Sequence, residues 1–302
     1  MAGIVVCGAG ACGLTTAMML AKDGHQVTVL ERDAAAPPEP SRAWEDWERR
    51  GVNQFRLPHF LLPAFREVME AELPEILTAL MASGAHRFNL LGPFADAMDP
   101  EGCHDVVTAR RPLVEAVIAA VASDTPDLVV RRGVAVVGAL TEGATPPRVV
   151  GLRTEGGEEI RADLVVDAGG RRSPMVRWLI EAGVRPPLVE EEDSGFVYYG
   201  RHVRAPSGVA LGGPGTITTG SVGLLVLPAE DDISGIGIIA HSDDAELRVL
   251  RHEAAWTAAM GLLPGGESIL DSEFVSPLQA MAGLEDRWQR CVIDGQPVAT
   301  GV

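Results

Sequence analysis

The sequence predicts an α/β protein: a domain built on a parallel sheet, joined to a mostly antiparallel, β-rich region. Three observations carry that prediction. Residues 3–32, GIVVCGAGACGLTTAMMLAKDGHQVTVLER, read strand, glycine turn, helix, strand, acid. A second strand–glycine–helix corner follows at DLVVDAGGRRS, residues 163–173. From about Pro186 the chain changes to short strand-like segments broken by glycine, proline and acidic turns. The expected division is a first domain over 1–185, completed by a last strand in 290–302, and a β-rich region over 186–289.

Within the opening unit, Ile4 to Cys7 form the apolar run of a strand buried on both faces. Gly8, Gly10 and Gly13 stand in the spacing G-x-G-x-x-G, with Ala9, Ala11 and Cys12 between them. Leu14, Ala17, Met18 and Ala21 lie on one face of the helix that follows. Gly24 stops that helix, and the strand from Val27 ends at Glu31, 18 residues after the third glycine. This order is the Rossmann-like fingerprint of a dinucleotide site. Gly8 permits the tight turn, Gly10 lets backbone approach a pyrophosphate, and Gly13 allows close helix–strand packing. The helix N-terminus offers free N–H groups and partial positive charge to phosphates. Glu31 is placed to accept hydrogen bonds from a ribose diol.

The 302 residues carry a net charge of 25 − 42 = −17, so a polyanion is repelled and nucleic acid is not an expected partner. No apolar run reaches the roughly 18–20 residues that span a bilayer. The start runs directly into the first strand without a basic leader, and Cys7, Cys12, Cys103 and Cys291 show no metal-ligand spacing. These features fit reduced thiols and a cytoplasmic location.

Residues 34–40, AAAPPEP, read as a loop. An amphipathic helix is expected from about Leu62 to Ser83, kinked or restarted at Pro74, and 84–104 as irregular. Val106–Ala109 reads as a strand before the helix LVEAVIAAVAS. Leu128–Arg131, Gly133–Leu140, Arg148–Thr154 and Glu158–Arg161 read as one small antiparallel sheet, and a helix follows around Met175–Glu181. In the second region, strands are expected at Phe196–Arg204, Val209–Leu211, Thr216–Thr219, Gly223–Pro228 and Gly235–His241, then a helix from about Asp244 to Met260. Asp294-Gly295 signals a hairpin between Arg290–Ile293 and Pro297–Val302.

Three segments together resemble the flavoprotein monooxygenase superfamily that includes para-hydroxybenzoate hydroxylase, a branch of the glutathione-reductase-type FAD fold. They are the opening unit with Gly8, Gly10, Gly13, Glu31 and Arg32; TARRPLVEAV, similar to the family's R-x-x-L element; and DLVVDAGGRRS, similar to its strand before G-x-x-S. GVNQFRLPHFLLP, residues 51–63, also looks like a local signature of this group. The resemblance implies FAD, held by Gly8, Gly10, Ala11, Cys12, Gly13, Glu31, Arg32, Arg42, Val134, Ala168, Gly169 and Gly170, with Arg110 near the flavin phosphates or ribityl chain. It implies a monooxygenase in which a flavin hydroperoxide transfers one oxygen atom to a small organic substrate, with NAD(P)H as electron donor. Gly169 stands where the family often has Asp, which bears on that donor. VATGV lies where a family G-D motif would begin, so the chain reads as a fragment expected to hold FAD poorly and to leave its final strand unpaired.

Some residues keep competing accounts. Arg110 is either an anion contact or a surface charge beside Arg111, and an arginine at a helix start suits a ligand anion better than the helix dipole. Arg56 and His59 either line a flavin or substrate site or belong to a loop clamp packed by Phe55 and Phe60. His202, His241 and His252 have no spacing that gives them a catalytic role. Two other functions share the motifs: a flavin-dependent reductase of isoprenoid-type double bonds and an inactive remnant. An NAD-dependent dehydrogenase explains neither Arg110 nor the second glycine corner.

Overall fold

A parallel sheet forms around Gly3–Cys7, flanked by Leu164–Asp167 on one side and Gln26–Glu31 on the other, with Leu128–Arg132 at the edge. The computed structural model describes all residues except 50, 53, 144–145 and 206–214. By internal contact the chain divides into two units. One comprises Met1–Glu39, Glu115–Glu191 and Arg287–Val302; the other comprises Pro40–Val114 and Glu192–Asp286. The segment 40–114, expected within the first domain, therefore groups with the β-rich region.

In the first unit, Ile4, Val5 and Val6 are buried because the strand has neighbours on both sides. The helix Ala11–Lys22 buries Leu14, Ala17, Met18 and Ala21 against it and ends at Asp23 and Gly24, where φ is +85°. Leu128–Arg132 joins this parallel sheet, Val27 opposite Leu128, and not the antiparallel one the sequence predicts. Its pattern LVVRR fits either environment, and pairing with the second strand decides it. The antiparallel sheet has three strands, Val136–Glu142, Arg148–Thr154 and Glu159–Arg161.

Asp294 and Gly295 both take positive φ, 54° and 75°, in the expected tight hairpin, but its strands are only Val292–Ile293 and Gln296–Pro297. The residues beyond form no strand. Val298 and Ala299 are buried, Val165 N–H donates to the Gly301 carbonyl at 2.8 Å, and Val149 N–H donates to Thr300 at 2.7 Å. The segment expected as an unpaired strand is instead held by hydrogen bonds from the two neighbouring sheets.

The second unit is built on an antiparallel sheet in the order 215–219, 222–228, 233–241, 196–204, 273–274, with 279–281 also paired to 196–204. The expected strand Val209–Leu211 lies outside the described residues. Val203, Leu224, Ile236, Ile238, Trp256, Met260 and Ile269 form its core. The expected helix 244–260 is split: Leu247–Arg251 is a 3₁₀ turn, His252 is extended, and the α-helix is Glu253–Met260. The helix expected over 62–83 restarts at Pro74 as expected, giving Pro63–Glu72 and Pro74–Ala82, since Pro74 has no N–H to continue the first. Residues 84–104 are not wholly irregular: His86–Asn89 pairs with Asp105–Thr108, which also pairs with Phe60–Leu61. Pro58 seats on the sheet where side chains are missing; a Cβ on Gly235 would lie 2.7 Å from its ring, and one on Gly200 3.5 Å.

Candidate functional site

The three glycines of the first turn do three different things. Gly8 has φ +108°, and a Cβ there would meet the Ala168 carbonyl oxygen at 2.5 Å. A Cβ on Gly13 would meet the Gly8 oxygen at 2.0 Å and the Ala168 methyl at 3.1 Å. These two are closed by the protein itself. A Cβ on Gly10 would meet nothing within 4 Å. Gly10 is the N-cap of Ala11–Lys22, with no side-chain cap and no acid in the first turn. The helix start therefore keeps its first N–H groups, those of Ala11, Cys12 and Gly13 among them, free of intrahelical partners on the open side.

The strand ends meet at this turn. Gly8 N–H donates to Leu30 at 2.8 Å, and Ala168 N–H donates to Cys7 at 2.9 Å. Glu31 is 4% exposed; its carboxylate accepts from Ala9 N–H at 2.9 Å and from Asp33 N–H at 3.0 Å. Val134 N–H donates to the Glu31 carbonyl at 2.9 Å, and Arg32 is exposed. Burial, then the charges of Asp167 and Glu31, push the Cys7 thiol up to about 11, so it stays protonated at neutral pH. Cys12 is exposed.

The second corner is held by Asp167, which the sequence reading passes over in favour of the glycines beside it. Its carboxylate accepts from Gly169 N–H at 3.0 Å and from the Ser173 hydroxyl at 2.7 Å, and Ser173 in turn accepts from Met175 N–H at 3.2 Å. The signal was an acid six residues before a serine across a glycine pair. Gly8, Gly13, Ala168 and Gly169 are thus brought together, with Glu31 tied in through Ala9.

The other two expected arginines, Arg42 and Arg110, lie in the other unit. Arg42 is exposed and paired to Asp46 at 3.0 Å. Arg110 is buried: its Nε donates to Glu230 at 2.5 Å, its Nη2 to Asp231 at 3.1 Å, and its backbone N–H to Glu230 at 3.0 Å. A carboxylate 120 residues away thus caps the helix Arg111–Ser123 and neutralises the arginine. The Arg110 guanidinium lies 4.7 Å from the Trp44 ring centroid and that of Arg56 lies 4.6 Å from it. Arg56 also donates to the carbonyls of Trp44 and Trp47 and to Glu48, as a loop clamp does. His202, 1% exposed, meets the edge of Trp44 at 4.9 Å. Burial, and then the charges of Arg110 and Arg56, lower its pKa to about 3, and its Nδ1 has no hydrogen-bond partner among the described residues. Among the described residues no acidic, His or Cys group forms a metal cluster, and no helix is long and apolar enough to cross a membrane.

Residues 1–185 match the family model of an FAD binding domain. The chain belongs to that family. Its sequence is 26% identical over 260 residues to Protein Rv3254 of Mycobacterium tuberculosis, covering 79% of this chain and 51% of that protein. The chain therefore spans about half the length of the curated relative it matches. Among solved structures it is similar to PqsL, a probable FAD-dependent monooxygenase from Pseudomonas aeruginosa (TM-score 0.67, 14% identity, 93% of this chain and 73% of that one). It is also similar to a flavoprotein/dehydrogenase from Cytophaga hutchinsonii (0.65, 18%, 97% and 69%), and to CmlS, a flavin-dependent halogenase (0.60, 22%, 93% and 49%). At these identities the likeness to solved structures shows the fold, that of FAD-dependent enzymes. FAD is the family's cofactor, and the turn fits its diphosphate: the one glycine of the three with open space is the one whose side chain a bound pyrophosphate would exclude.

Proposed function

We propose that this chain acts in an FAD-dependent oxidoreductase of the monooxygenase type, on a small organic molecule with NAD(P)H as electron donor. The observation that carries it is the contrast within one turn: Gly8 and Gly13 are closed by protein atoms, while Gly10 faces open space at an uncapped helix start. FAD, when bound, supplies the redox chemistry, including reaction of its reduced form with oxygen. The chain's own residues hold it. The first-turn amides of Ala11, Cys12 and Gly13 donate to the diphosphate, and the helix start adds partial positive charge where no acid opposes it. Glu31, buried at the end of its strand and accepting from the N–H groups of Ala9 and Asp33, is the carboxylate that meets the adenosine ribose. Ala168, Gly169 and Gly170 form the second wall, with Asp167 and Ser173 fixing it.

Calorimetric titration with ADP and with FAD tests this reading. Gly10→Val is expected to keep a cooperative melting transition, lowered only by the changed N-cap, and to lose at least about tenfold in ADP affinity, the weakening that removal of one charge-assisted contact produces. Equal ADP affinity in wild type and variant would remove the dinucleotide assignment. Oxygen consumption with NADH or NADPH by the flavin-loaded protein then reads the donor.

A further inference from the structure

The strands Leu188–Asp193 and Glu285–Arg290 pair with each other, and among the described residues their sheet has no third strand. Every residue of both strands is exposed, Trp288 to 66%. Two ion pairs link the strands, Arg287 with Glu191 at 2.5 Å and Arg290 with Glu190. A two-stranded sheet with neither face covered is marginally stable by itself, and an open strand edge is a template for another strand. We infer that a second copy of this chain covers this ribbon. The outer edge of Glu285–Arg290 pairs antiparallel with the same strand of that copy, about a twofold axis at Trp288.

The residues of the two strands select that edge and that centre. Residues directly opposite in an antiparallel pair share a face, so a strand pairing with itself about a twofold axis is centred on a residue. Centred on Trp288, the pairing sets Asp286 against Arg290 of the second copy and Arg290 against that copy's Asp286. The two indoles meet on the axis, and Arg287 stands opposite Gln289. Opposite charges thus flank an aromatic pair on one face, and both are favourable cross-strand combinations. Arg290 already holds Glu190, and a guanidinium has five N–H donors, so it serves a second carboxylate. Centred on Arg287, the same strand would bring like charges together. The partner strand is excluded by its own acids: centred on Glu190 or Glu191, it sets carboxylate against carboxylate. The contact closes as a dimer, because both copies use the same edge. This inference does not rest on the dinucleotide reading.

Sedimentation velocity of the full chain, with a thiol reductant present to prevent disulfides through the exposed cysteines, tests it. An interface of this small size is expected to give monomer at about 1 μM and mostly dimer at about 100 μM. Asp286→Arg and Arg290→Asp each set like charges opposite at both ends of the pairing. Each alone is expected to weaken the dimer at least about tenfold. An equal mixture of the two variants restores opposite charges at both ends and is expected to recover dimer to within about threefold of wild type. Circular dichroism of each variant checks that the fold is kept. Monomer at every concentration would overturn the inference. So would a dimer that Asp286→Arg leaves unchanged, which would place the interface elsewhere, or single variants that the mixture does not rescue. Growth beyond the dimer would mean that Glu285–Arg290 pairs with the acidic strand of the next copy, and would equally overturn it.

Discussion

The glycine turn of the first unit and the Trp44–Arg110 cluster of the second are built by opposite means. The turn is made of backbone: its shape comes from residues that lack a side chain, and its open position is beside Gly10. The cluster is made of long side chains that fill space, two guanidinium groups against one indole with a buried acid and a buried histidine alongside. The first kind of site needs absence of atoms at fixed points. The second needs every charged group to find its partner in a poorly solvated place. They should therefore fail differently when altered.

The largest effect is expected where the turn has no room. Gly13→Ala places a methyl group where the Gly8 carbonyl oxygen stands, and neither backbone segment can yield. A loss of about 3 kcal/mol or more in urea denaturation is expected, against about 1 kcal/mol for Gly10→Val, which changes only the N-cap of its helix. If both variants were equally stable, the distinction between closed and open glycines would fail.

In the cluster, Glu230→Ala leaves the Arg110 charge buried without its fixed partner, and a loss of about 3–5 kcal/mol is expected. The double variant Arg110→Met, Glu230→Leu removes both charges and should recover most of that loss. A double variant no better than the single would show that the arginine's packing on Trp44, and not the ion pair, is what matters.

A smaller effect comes from His202. Its folded pKa, about 3, lies below the ordinary histidine value of 6.5 because burial and two arginines disfavour the imidazolium. Between these values the unfolded chain binds a proton that the folded chain does not. Stability is therefore full above about pH 6.5 and falls as the pH drops toward 3, by up to about 1.4 kcal/mol per unit. His202→Gln should flatten this slope in denaturation measured at pH 7, 6 and 5. An unchanged slope would assign the acid sensitivity to other groups.

The same contrast explains what the sequence disclosed. Gly8, Gly10, Gly13 and Glu31 act through local spacing along one strand–turn–helix–strand unit, and the second corner at Ala168–Gly170 repeats that logic; both are readable from order alone. The partner of Arg110 was not readable, because Glu230 lies 120 residues away and only the pairing of strands 222–228 and 233–241 presents it. Histidine spacing likewise said nothing of His202, whose surroundings come from Trp44, Arg56 and Arg110 on other segments. Leu128–Arg132 was legible as a strand but not as a member of the parallel sheet, since five residues of mixed apolar and basic character do not specify a neighbour. The helix expected over 244–260 failed at His252, where extended backbone breaks a continuous pattern.

The seating of Pro58 on Gly200 and Gly235 has a consequence for reading mutational maps. A saturation screen scored by growth or fluorescence would mark Gly235 as intolerant of any replacement, alanine included, because a single methyl group collides with the Pro58 ring. Such a mark has the appearance of an active-site residue, yet no ligand is involved. Scoring the same library twice, once for abundance and once for flavin content, separates the two: Gly235 variants would drop out of both scores together, whereas Gly10 variants would stay abundant and colourless.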